Sequence, residues 1–563
     1  MGSEITRHFV SISNGRWGAR QVHYRKTGSG PVVICFHQSP LSSRDMLATM
    51  ERWKKDFTCI APDSPGFGLS DPLGVAQAEI GDFAEAAIEF MDALGIERAA
   101  IYGFHTGAMI SVAIAAAYPQ RIVCAAANGY VILTEPERKD ILDNYLPAIE
   151  PKWDGSHLTW LWARMREQVI FFPWYRQSLA DRLSYDVPPP EAIHNSLLDF
   201  LRSGDNYRVG YRAAFTMRSD LALRCTATPI LVTAAKTDVL AKHLGNVRHP
   251  AACVTVQAGG MPEETLDLCR DFIKRHELPK APTLAGCAAL RGVLRQDYID
   301  LPDGQIRVRR NDDVTGRPVV IIHDATGSSE IVSAVARGFI GHRPVLAINL
   351  PGHGESDNVL SNGEVTVDSY ANAVDRVLDV AGFESVDIVG LAGGGVIGLA
   401  VAQLPYARVK QLVMIDAPYF DDVLRRDLLE NGAPEIKPTW FGGHLLEAWY
   451  VMRDHGLFWP WYRRNRSGII WQEPQIDPQM VQARVLELFR SNGMWREAHR
   501  AYLASPLAPT LRRGGCNVLF AAATWSPYLE TAKQVAKDFP DMPFVELPRE
   551  SIDWAHTLLP KLV

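Results

Sequence analysis

Two glycine-framed segments of the 563-residue chain hold the positions best suited to chemistry. The first reads Gly-Phe-His-Thr-Gly at residues 103–107, and the second reads Gly-Leu-Ala-Gly-Gly at residues 390–394. Each lies between an apolar run of strand length and a helical run, and the small residues let the backbone pass closely through a tight turn. The first segment centres on His105, whose imidazole, with an ordinary pKa of about 6.5, could act as a nucleophile or a general base. The second centres on Ala392, which has no reactive group.

The two segments belong to a pattern that runs twice along the chain. Its landmarks recur in the same order and at nearly the same offset: 36–40 with 323–327, 63–71 with 349–357, 155–166 with 442–453, and 171–176 with 458–463. The last pair, Phe-Phe-Pro-Trp-Tyr-Arg against Phe-Trp-Pro-Trp-Tyr-Arg, is identical at five of six positions. The sequence therefore predicts two homologous halves, 1–278 and 291–563, joined by a linker rich in Pro, Ala and Gly at 279–290.

Apolar runs of strand length alternate with amphipathic stretches in each half. Parallel strands need crossover helices and are buried on both faces, so this alternation predicts a parallel sheet with helices on both sides. An insertion rich in Trp, Tyr and Arg precedes the last predicted strand of each half. It covers about 131–222 in the first half and about 419–508 in the second. The predicted strands are 32–36, 58–61, 99–102, 122–127 and 230–234, then 319–322, 345–349, 386–389, 412–415 and 518–523.

Over nearly all of each half, this pattern resembles the α/β-hydrolase superfamily. The glycine-framed turns resemble its nucleophile elbow, Gly-x-nucleophile-x-Gly. Segments 36–40 and 323–327 look like its oxyanion-hole loop, and 63–71 and 349–357 like the turn after its fourth strand. The resemblance implies two tandem α/β-hydrolase folds, with mostly parallel eight-stranded sheets flanked by helices and a helical cap inserted after the sixth strand. The chain departs from the family at the elbow, because neither copy carries a serine there.

The rest of the family's catalytic triad is only partly present in the first half. The triad order is nucleophile, acid, histidine, and the acid position after the seventh strand is filled by Asp238. The histidine position after the eighth strand falls near Gly260, so no base stands there. Two interpretations follow. Either Asp238 orients His105 directly, in a dyad that abstracts a proton or activates water, or His105 is a polar side chain at the pocket floor and Asp238 is held by local hydrogen bonds.

The resemblance also implies an oxyanion hole, which needs turn geometry more than particular side chains because backbone N–H groups form it. The expected donors are the N–H of Thr106 and one from the turn at Gln38 or Ser39. The Gln38 side chain could add a donor, or it could simply replace a glycine and narrow the pocket.

The second half lacks more of the triad. Its acid position is approximately Ser526, and no histidine stands at the family's place. Together with Ala392, this predicts a degenerate copy that is kept for packing, for a pocket wall or for a ligand. Asp324 and Asp416, near the ends of its strands, are the residues that could overturn that interpretation.

The insertion of the first half suggests a substrate, since aromatic faces, a guanidinium and an imidazole suit a planar ligand with a carboxylate, phenolate or carbonyl group. In the alternative interpretation Trp174 and Tyr175 form the core of the cap, while Arg166 pairs with a neighbour such as Glu167, and Arg453 likewise with Asp454. The predicted substrate-binding residues are His37, His157, Trp162, Arg166, Trp174 and Tyr175, with His444 and Arg453 as second-half counterparts.

Composition excludes several other function classes. With 58 basic and 64 acidic residues the formal charge is −6, and no basic stripe suits nucleic acid or an anionic membrane. The eight cysteines show neither C-x-x-C pairs nor metal-ligand spacing, which indicates buried thiols in a reducing compartment. No apolar run reaches the roughly 18 residues that a membrane span needs. We expect a cytoplasmic protein with no metal and no cofactor, since the glycine-rich segment at 390–395 falls in the elbow pattern rather than in a dinucleotide loop.

Two classes of function remain open from the sequence. The first is an enzyme without a serine nucleophile that acts on a small aromatic or apolar ester, lactone or keto compound. His105 would drive either hydrolysis or a proton transfer of the lyase, isomerase or cyclase type. The alternative is an inactive pseudohydrolase that binds a small molecule or a partner. We also expect a possible homo-oligomer, or packing of the two caps against each other.

Overall fold

The computed structural model describes residues 4–286, 288–360 and 364–562, so residue 287 of the predicted linker lies outside it. The chain divides into two compact units. The first comprises Glu4–Glu150 and His157–Ala288, and the second comprises Pro151–Ser156 and Ala289–Val563. Each unit is built around one eight-stranded sheet.

The first unit alternates strands and helices, as the sequence predicts. Its strands are β1 (Thr6–Gly15), β2 (Gly18–Thr27), β3 (Val32–Phe36), β4 (Thr58–Pro62), β5 (Ala99–Phe104), β6 (Ile122–Asn128), β7 (Ile230–Thr233) and β8 (Val254–Val256). Its helices are α1 (Leu47–Trp53), α2 (Ile80–Ala93), α3 (Thr106–Ala117), α4 (Glu135–Asn144), α5 (Ser156–Gln168), α6 (Pro190–Ser203), α7 (Asn206–Thr216), α8 (Ser219–Cys225) and α9 (Pro262–Lys274).

The second unit repeats this order. Its strands are β9 (Arg295–Leu301), β10 (Gly304–Asn311), β11 (Val319–Ile322), β12 (Val345–Ile348), β13 (Val386–Leu391), β14 (Val409–Ile415), β15 (Asn517–Ala523) and β16 (Phe544–Leu547). Its helices are α10 (Ser333–Gly338), α11 (Val367–Val380), α12 (Gly393–Ala402), α13 (Asp422–Asn431), α14 (Gly443–Asp454), α15 (Pro478–Arg490), α16 (Met494–Ala504), α17 (Leu507–Arg512), α18 (Leu529–Asp538) and α19 (Trp554–Leu558).

Both sheets have the same topology. The first has the order β1-β2-β4-β3-β5-β6-β7-β8, and the second has the equivalent order from β9 to β16. β1 pairs antiparallel with β2, and β2 antiparallel with β4, while the remaining pairs are parallel. All five residues of β3 are buried, because helices cover both faces of the parallel region. The predicted fold class and all ten predicted strands are confirmed.

The register of the parallel strands sets the position of the candidate site. Phe36 pairs with Gly103, Phe104 with Asn128, and Asn128 with Thr233, so β3, β5, β6 and β7 end side by side. The segments that follow these four strands therefore meet at the carboxyl edge of the sheet, where open α/β sheets bind their ligands. Helices α4–α8, which we call the first insertion, lie in the chain between β6 and β7.

Candidate active site

His105 occupies a strained turn between β5 and α3. Its backbone has φ 50° and ψ −111°, a conformation that residues with a Cβ rarely adopt. A Cβ added to Gly103 would lie 2.1 Å from the carbonyl oxygen of Gly107, and one added to Gly107 would lie 2.1 Å from that of Phe36. The glycines therefore allow the turn, and the buried helix α3 holds it in place.

The imidazole of His105 bonds directly to the carboxylate of Asp238. Nε2 of His105 lies 2.9 Å from Oδ2 of Asp238, and Oδ1 of Asp238 accepts the N–H of Leu240 at 2.8 Å. The Asp238 side chain is 6% exposed and that of His105 is 24% exposed. The acid is therefore shielded while the imidazole is reachable.

The surroundings of Asp238 keep it ionised. Burial alone would raise its pKa, but the charge and hydrogen bond of His105, the N–H of Leu240 and the nearby His243 outweigh burial and lower it. A carboxylate only accepts hydrogen bonds, so Nε2 of His105 carries the proton and Nδ1 carries the lone pair. In the neutral imidazole Nδ1 is therefore the basic atom, and Asp238 fixes this tautomer of His105.

Gly129, directly after β6, leaves room for this pair. It has φ +72°, and an added Cβ would lie 2.3 Å from Cδ2 and 2.9 Å from Nε2 of His105. The same Cβ would lie 3.2 Å from Oδ2 of Asp238. A side chain at this position would displace His105 from its partner.

A cavity of about 300 Å³ opens onto His105. The predicted hole residues Gln38, Ser39 and Thr106 also line it, so the structure brings these four predicted residues together. Most of the rest of the lining comes from the first insertion and its flanks. It is mostly apolar and includes Met165, Val169, Phe172, Tyr145, Tyr211, Phe215, Ile193 and Gln168. Such a cavity suits a small ligand with few polar groups.

The predicted oxyanion-hole residues Thr106 and Gln38 differ in what their backbone N–H groups can bind. Thr106 is the first residue of α3, and the N–H groups of a first helical turn have no acceptor within their own helix. Gln38 is turned towards Asp45, whose Oδ1 accepts its Nε2–H at 3.3 Å and whose Oδ2 accepts its backbone N–H at 3.4 Å. Burial raises the pKa of Asp45, and the charge of His37 and the two bonds from Gln38 only partly offset that rise.

The other predicted substrate-binding residues do not line this cavity. His37 is buried: its Nδ1 donates to the carbonyl oxygen of Gln38 at 2.8 Å, and its Nε2 accepts the N–H of Ser64 at 2.9 Å. His157 and Trp162 are buried on α5, and Arg166 is half-buried on the same helix. The rings of Trp174 and Tyr175 pack edge-on against Tyr145, 6.3 and 6.2 Å away. A substrate contact for these residues stays a prediction.

Sequence reasoning missed several residues of the site. Tyr145 and Tyr211 form part of the cavity wall, and no sequence pattern singles them out. Gly129 could have been found, because the offset between the two halves pairs it with Asp416. Arg164, one turn before Gln168 on α5, was passed over in favour of Arg166.

The corresponding elbow of the second unit keeps the backbone and changes the side chains. Ala392 has φ 44° and ψ −112°, close to the values of His105. Oδ1 of Asp324 accepts the N–H of Gly393 at 3.1 Å, which is the position of Thr106 in the first unit. The hydroxyl of Ser526 donates to Oδ1 of Asp416 at 2.7 Å.

Both second-unit carboxyls are half-buried, and the contacts above give neither of them a cationic partner. Burial raises the pKa of Asp416 to about 7, with Asp324 adding to the rise and Ser526 opposing it. Burial also raises the pKa of Asp324, although the N–H groups of Ala325 and Gly393 oppose that rise. His444 stays neutral at physiological pH because burial lowers its pKa to about 4, and Arg453 lies 4.0 Å from Asp454, as the sequence suggested.

Among residues 4–286, 288–360 and 364–562, no three or more His, Cys, Asp or Glu side chains converge to hold a metal ion. Within that part of the chain, no helix is both long and apolar enough to cross a membrane.

Comparison with known proteins gives the following matches. A family model described as the alpha/beta hydrolase fold matches residues 31–159 and 317–447. Haloalkane dehalogenase 2 of Mycobacterium tuberculosis is 33% identical over 105 residues, which cover 18% of this chain and 36% of the relative. The 2-(acetamidomethylene)succinate hydrolase of Mesorhizobium japonicum is 32% identical over 138 residues, which cover 24% of this chain and 48% of the relative. The matches thus span less than half the length of these relatives.

The structure of epoxide hydrolase A from Mycobacterium thermoresistibile matches with a TM-score of 0.37 and 19% identity. That match covers 49% of this chain and 100% of the other.

Proposed function

We propose that this chain, which belongs to the α/β-hydrolase fold family and carries that fold twice, is an enzyme whose first unit transforms a small, largely apolar carbonyl compound. His105 acts as the general base, Asp238 orients it, and the backbone at Thr106 and Ser39 stabilises negative charge on the carbonyl oxygen. The observation that carries this proposal is the 2.9 Å bond between Nε2 of His105 and Oδ2 of Asp238, with His105 facing the cavity.

The tautomer supports a base rather than an acid at rest. Because Nε2–H is donated to Asp238, Nδ1 of His105 is free of that bond and takes a proton from water or from a carbon next to the carbonyl group. The resulting imidazolium is stabilised by the ionised Asp238, and it returns the proton to the leaving group or the product. General acid–base catalysis of this kind contributes about 10²- to 10⁴-fold to rate.

Two reaction types use the same proton transfer. In hydrolysis the deprotonated water adds to the carbonyl carbon, and the oxyanion is held by the backbone N–H groups until the leaving group departs. In a lyase, isomerase or cyclase reaction, removal of a carbon-bound proton gives an enolate whose oxygen uses the same donors. An acyl-enzyme route is not proposed, because the elbow carries neither serine nor cysteine.

The names of the relatives support the enzyme class. The matched Mesorhizobium relative is named as a hydrolase of 2-(acetamidomethylene)succinate, and the Mycobacterium relative as a haloalkane dehalogenase. Both are named for small-molecule chemistry, which agrees with a cavity of about 300 Å³. The substrate of this chain is proposed only as a class.

The test is turnover of a panel of aryl esters, aryl lactones and phenolic β-keto acids, with products identified by mass spectrometry. We expect at least one class to be converted and His105→Ala to lower kcat/KM by about 10²-fold or more. His342→Ala removes an exposed imidazole of the second unit and serves as the matched control, with unchanged turnover expected. Turnover that survives His105→Ala, or binding of panel members without any conversion, contradicts the proposal.

For the second unit we propose a role without acyl transfer. The carboxylate of Asp324 takes the Gly393 N–H that an oxyanion would need, and a negative charge beside that donor opposes a developing oxyanion. Ligand binding or structural support is the function that these contacts favour. Loss of panel turnover on Asp324→Asn or Asp416→Asn, in protein that keeps its fold, would contradict this assignment.

A further inference from the structure

Arg164 is a buried cation beside the candidate cavity. It is 2% exposed, and none of the ion pairs found among the described residues involves its guanidinium. Four aromatic rings surround it instead, those of Phe200, Trp174, Tyr145 and Tyr207, at 4.8, 5.3, 5.6 and 5.9 Å. Ring faces offset part of the desolvation of a guanidinium, but a buried charge without an opposite charge is costly and calls for a reason.

The guanidinium of Arg164 makes its short hydrogen bond to a residue that lines the cavity. Its NH1 donates to Oε1 of Gln168 at 2.7 Å, and Gln168 lies one helical turn away on α5. NH1 also approaches the sulfur of Met165 at 3.6 Å, whereas Nε and NH2 have no hydrogen-bond partner among the described residues. Gln168 and Met165 both line the cavity.

This bond fixes the orientation of the Gln168 amide. A guanidinium has donors only, so the amide oxygen must face Arg164 and the amide NH₂ must face away from it. A neutral amide that is held in this way presents two polarised donors on a mostly apolar wall. The charge of Arg164 also reaches that wall: burial raises the pKa of Tyr145 and of Tyr211, and Arg164 opposes the rise in both.

We propose that Gln168 is the specificity-determining residue of the first unit and that its amide NH₂ binds a carboxylate of the substrate. Arg164 is a positioning residue that orients Gln168 and supplies the uncompensated positive charge. The inference rests on the proposed function and deepens it: the substrate class becomes small, largely apolar carboxylates that also carry the reacting carbonyl group.

The second unit lacks this pair. At the same offset, Val451 stands in place of Arg164 and His455 in place of Gln168. His455 directly follows α14, and its Nδ1 donates to the carbonyl oxygen of Val451 at 2.7 Å. The buried guanidinium is therefore not a requirement of the duplicated helix, which retains its other landmarks without it.

Binding of phenylacetate and phenylacetamide, measured by calorimetry on the full chain, tests the proposal without any need for turnover. The two probes differ only in the carboxylate, and we expect phenylacetate to bind about 10-fold tighter or more. Gln168→Glu keeps the size of the side chain but places a carboxylate against Arg164, so this preference should vanish. Gln177→Glu, at an exposed glutamine that does not line the cavity, should leave it unchanged.

A second variant guards against loss of the fold. Arg164→Lys keeps the charge but loses the planar bond to the amide, and a milder loss of preference is expected. Equal binding of both probes by the wild type, no binding of phenylacetate, or a preference that survives Gln168→Glu overturns the proposal. The same measurement on His105→Ala should keep the preference. A Gln168-dependent preference without turnover of the panel would therefore defeat only the proposed catalysis, and turnover indifferent to Gln168 and to substrate charge would defeat only the inference.

Discussion

The two elbows of this chain have nearly the same backbone conformation but different side chains. His105 and Ala392 have nearly the same positive φ, at 50° and 44°. In the first unit the elbow carries the large side chain of His105, and the glycine Gly129 follows the neighbouring strand. In the second unit the elbow carries the small side chain of Ala392, and Asp416 takes the place of Gly129. The strained turn thus persists whether or not it carries a reactive group, which indicates that the fold itself maintains it. What differs is the strand end that supplies the polar side chain.

The electrostatics of the two sites differ accordingly. In the first unit the acid is paired with an imidazole, and its pKa lies below the ordinary value. In the second unit Asp324 and Asp416 are half-buried and the elbow carries no imidazole, and the pKa of each carboxyl group is raised. The pKa of the carboxyl group is thus lowered in the first unit, where an imidazole faces it, and raised at both carboxyl groups of the second unit.

Asp238→Asn is expected to cause the largest loss of activity in the first unit. An asparagine can turn its NH₂ towards Nε2 of His105, which then becomes the acceptor and moves the proton to Nδ1. The base is lost although the ring stays in place, so we expect kcat/KM on a converted substrate to fall about 10³-fold. Asp143→Asn, at an exposed carboxylate that pairs with Lys139 one turn away, is the control and should retain activity. A loss of less than 10-fold would show that His105 does not depend on Asp238.

Gly129→Ala makes the first site resemble the second without touching a polar group. The new Cβ would overlap His105, and a displacement of about 1 Å costs about 10²-fold in rate. Gly95→Ala is a matched control, because Gly95 has φ +72° like Gly129 but no atom within 4 Å of an added Cβ. Both variants should lose about 1 kcal/mol or more of stability through backbone strain, and only Gly129→Ala should lose turnover. Equal kinetics for the two variants would refute the steric argument.

Asp416→Asn tests the electrostatics of the second site. The pKa of Asp416 is about 7 when folded and ordinary when unfolded, so the folded state holds the proton more tightly between about pH 4 and pH 7. Folded-state stability from this group therefore falls as pH rises through that window, by at most about 1.4 kcal/mol per pH unit. Asparagine still accepts the Ser526 hydroxyl but does not titrate. The Tm of the variant relative to wild type should rise with pH from about 4 to about 7, and a constant difference would exclude a raised pKa.

The sequence predicted the fold better than the site, for identifiable reasons. The parallel strands are continuous apolar runs, and the duplication shows each of them twice, so their positions follow from the pattern. His105 was found from the glycine-framed turn, and Asp238 from the acid position that the resemblance implies after the seventh strand. Their bond was one of two interpretations, because whether two side chains meet depends on the room left by a third residue, here Gly129.

The insertion was harder to interpret from sequence. Its helices have no fixed register against the sheet, so a Trp, Tyr or Arg can face the cavity or the packing behind it. Trp174 and Tyr175 pack against Tyr145, and whether they also bind substrate stays a prediction. Arg164, Arg166 and Gln168 lie on the same helix but on different faces of it. The sequence alone does not determine which face of the helix lies towards the cavity.

Ala392→His in a His105→Ala background is expected to have the smallest effect on turnover. It tests directly whether the elbow side chain alone distinguishes the two units. The variant places an imidazole on a second elbow with the same backbone angles. It lacks two things that the first unit provides: Asp416 stands where Gly129 leaves room, and Ser526 stands near where Asp238 supplies an acceptor. The Asp324 carboxylate, moreover, already takes the Gly393 N–H that an oxyanion would use.

We therefore expect no gain in turnover over His105→Ala alone, measured on the substrate that the wild type converts best. The low background of the parent variant makes a rise of even a few fold detectable. A gain of about 10-fold or more would mean that an imidazole on the strained elbow suffices for general-base catalysis. The room at Gly129, the acceptor at Asp238 and the open N–H of Thr106 would then be dispensable, and the difference between the two units would lie in a single side chain.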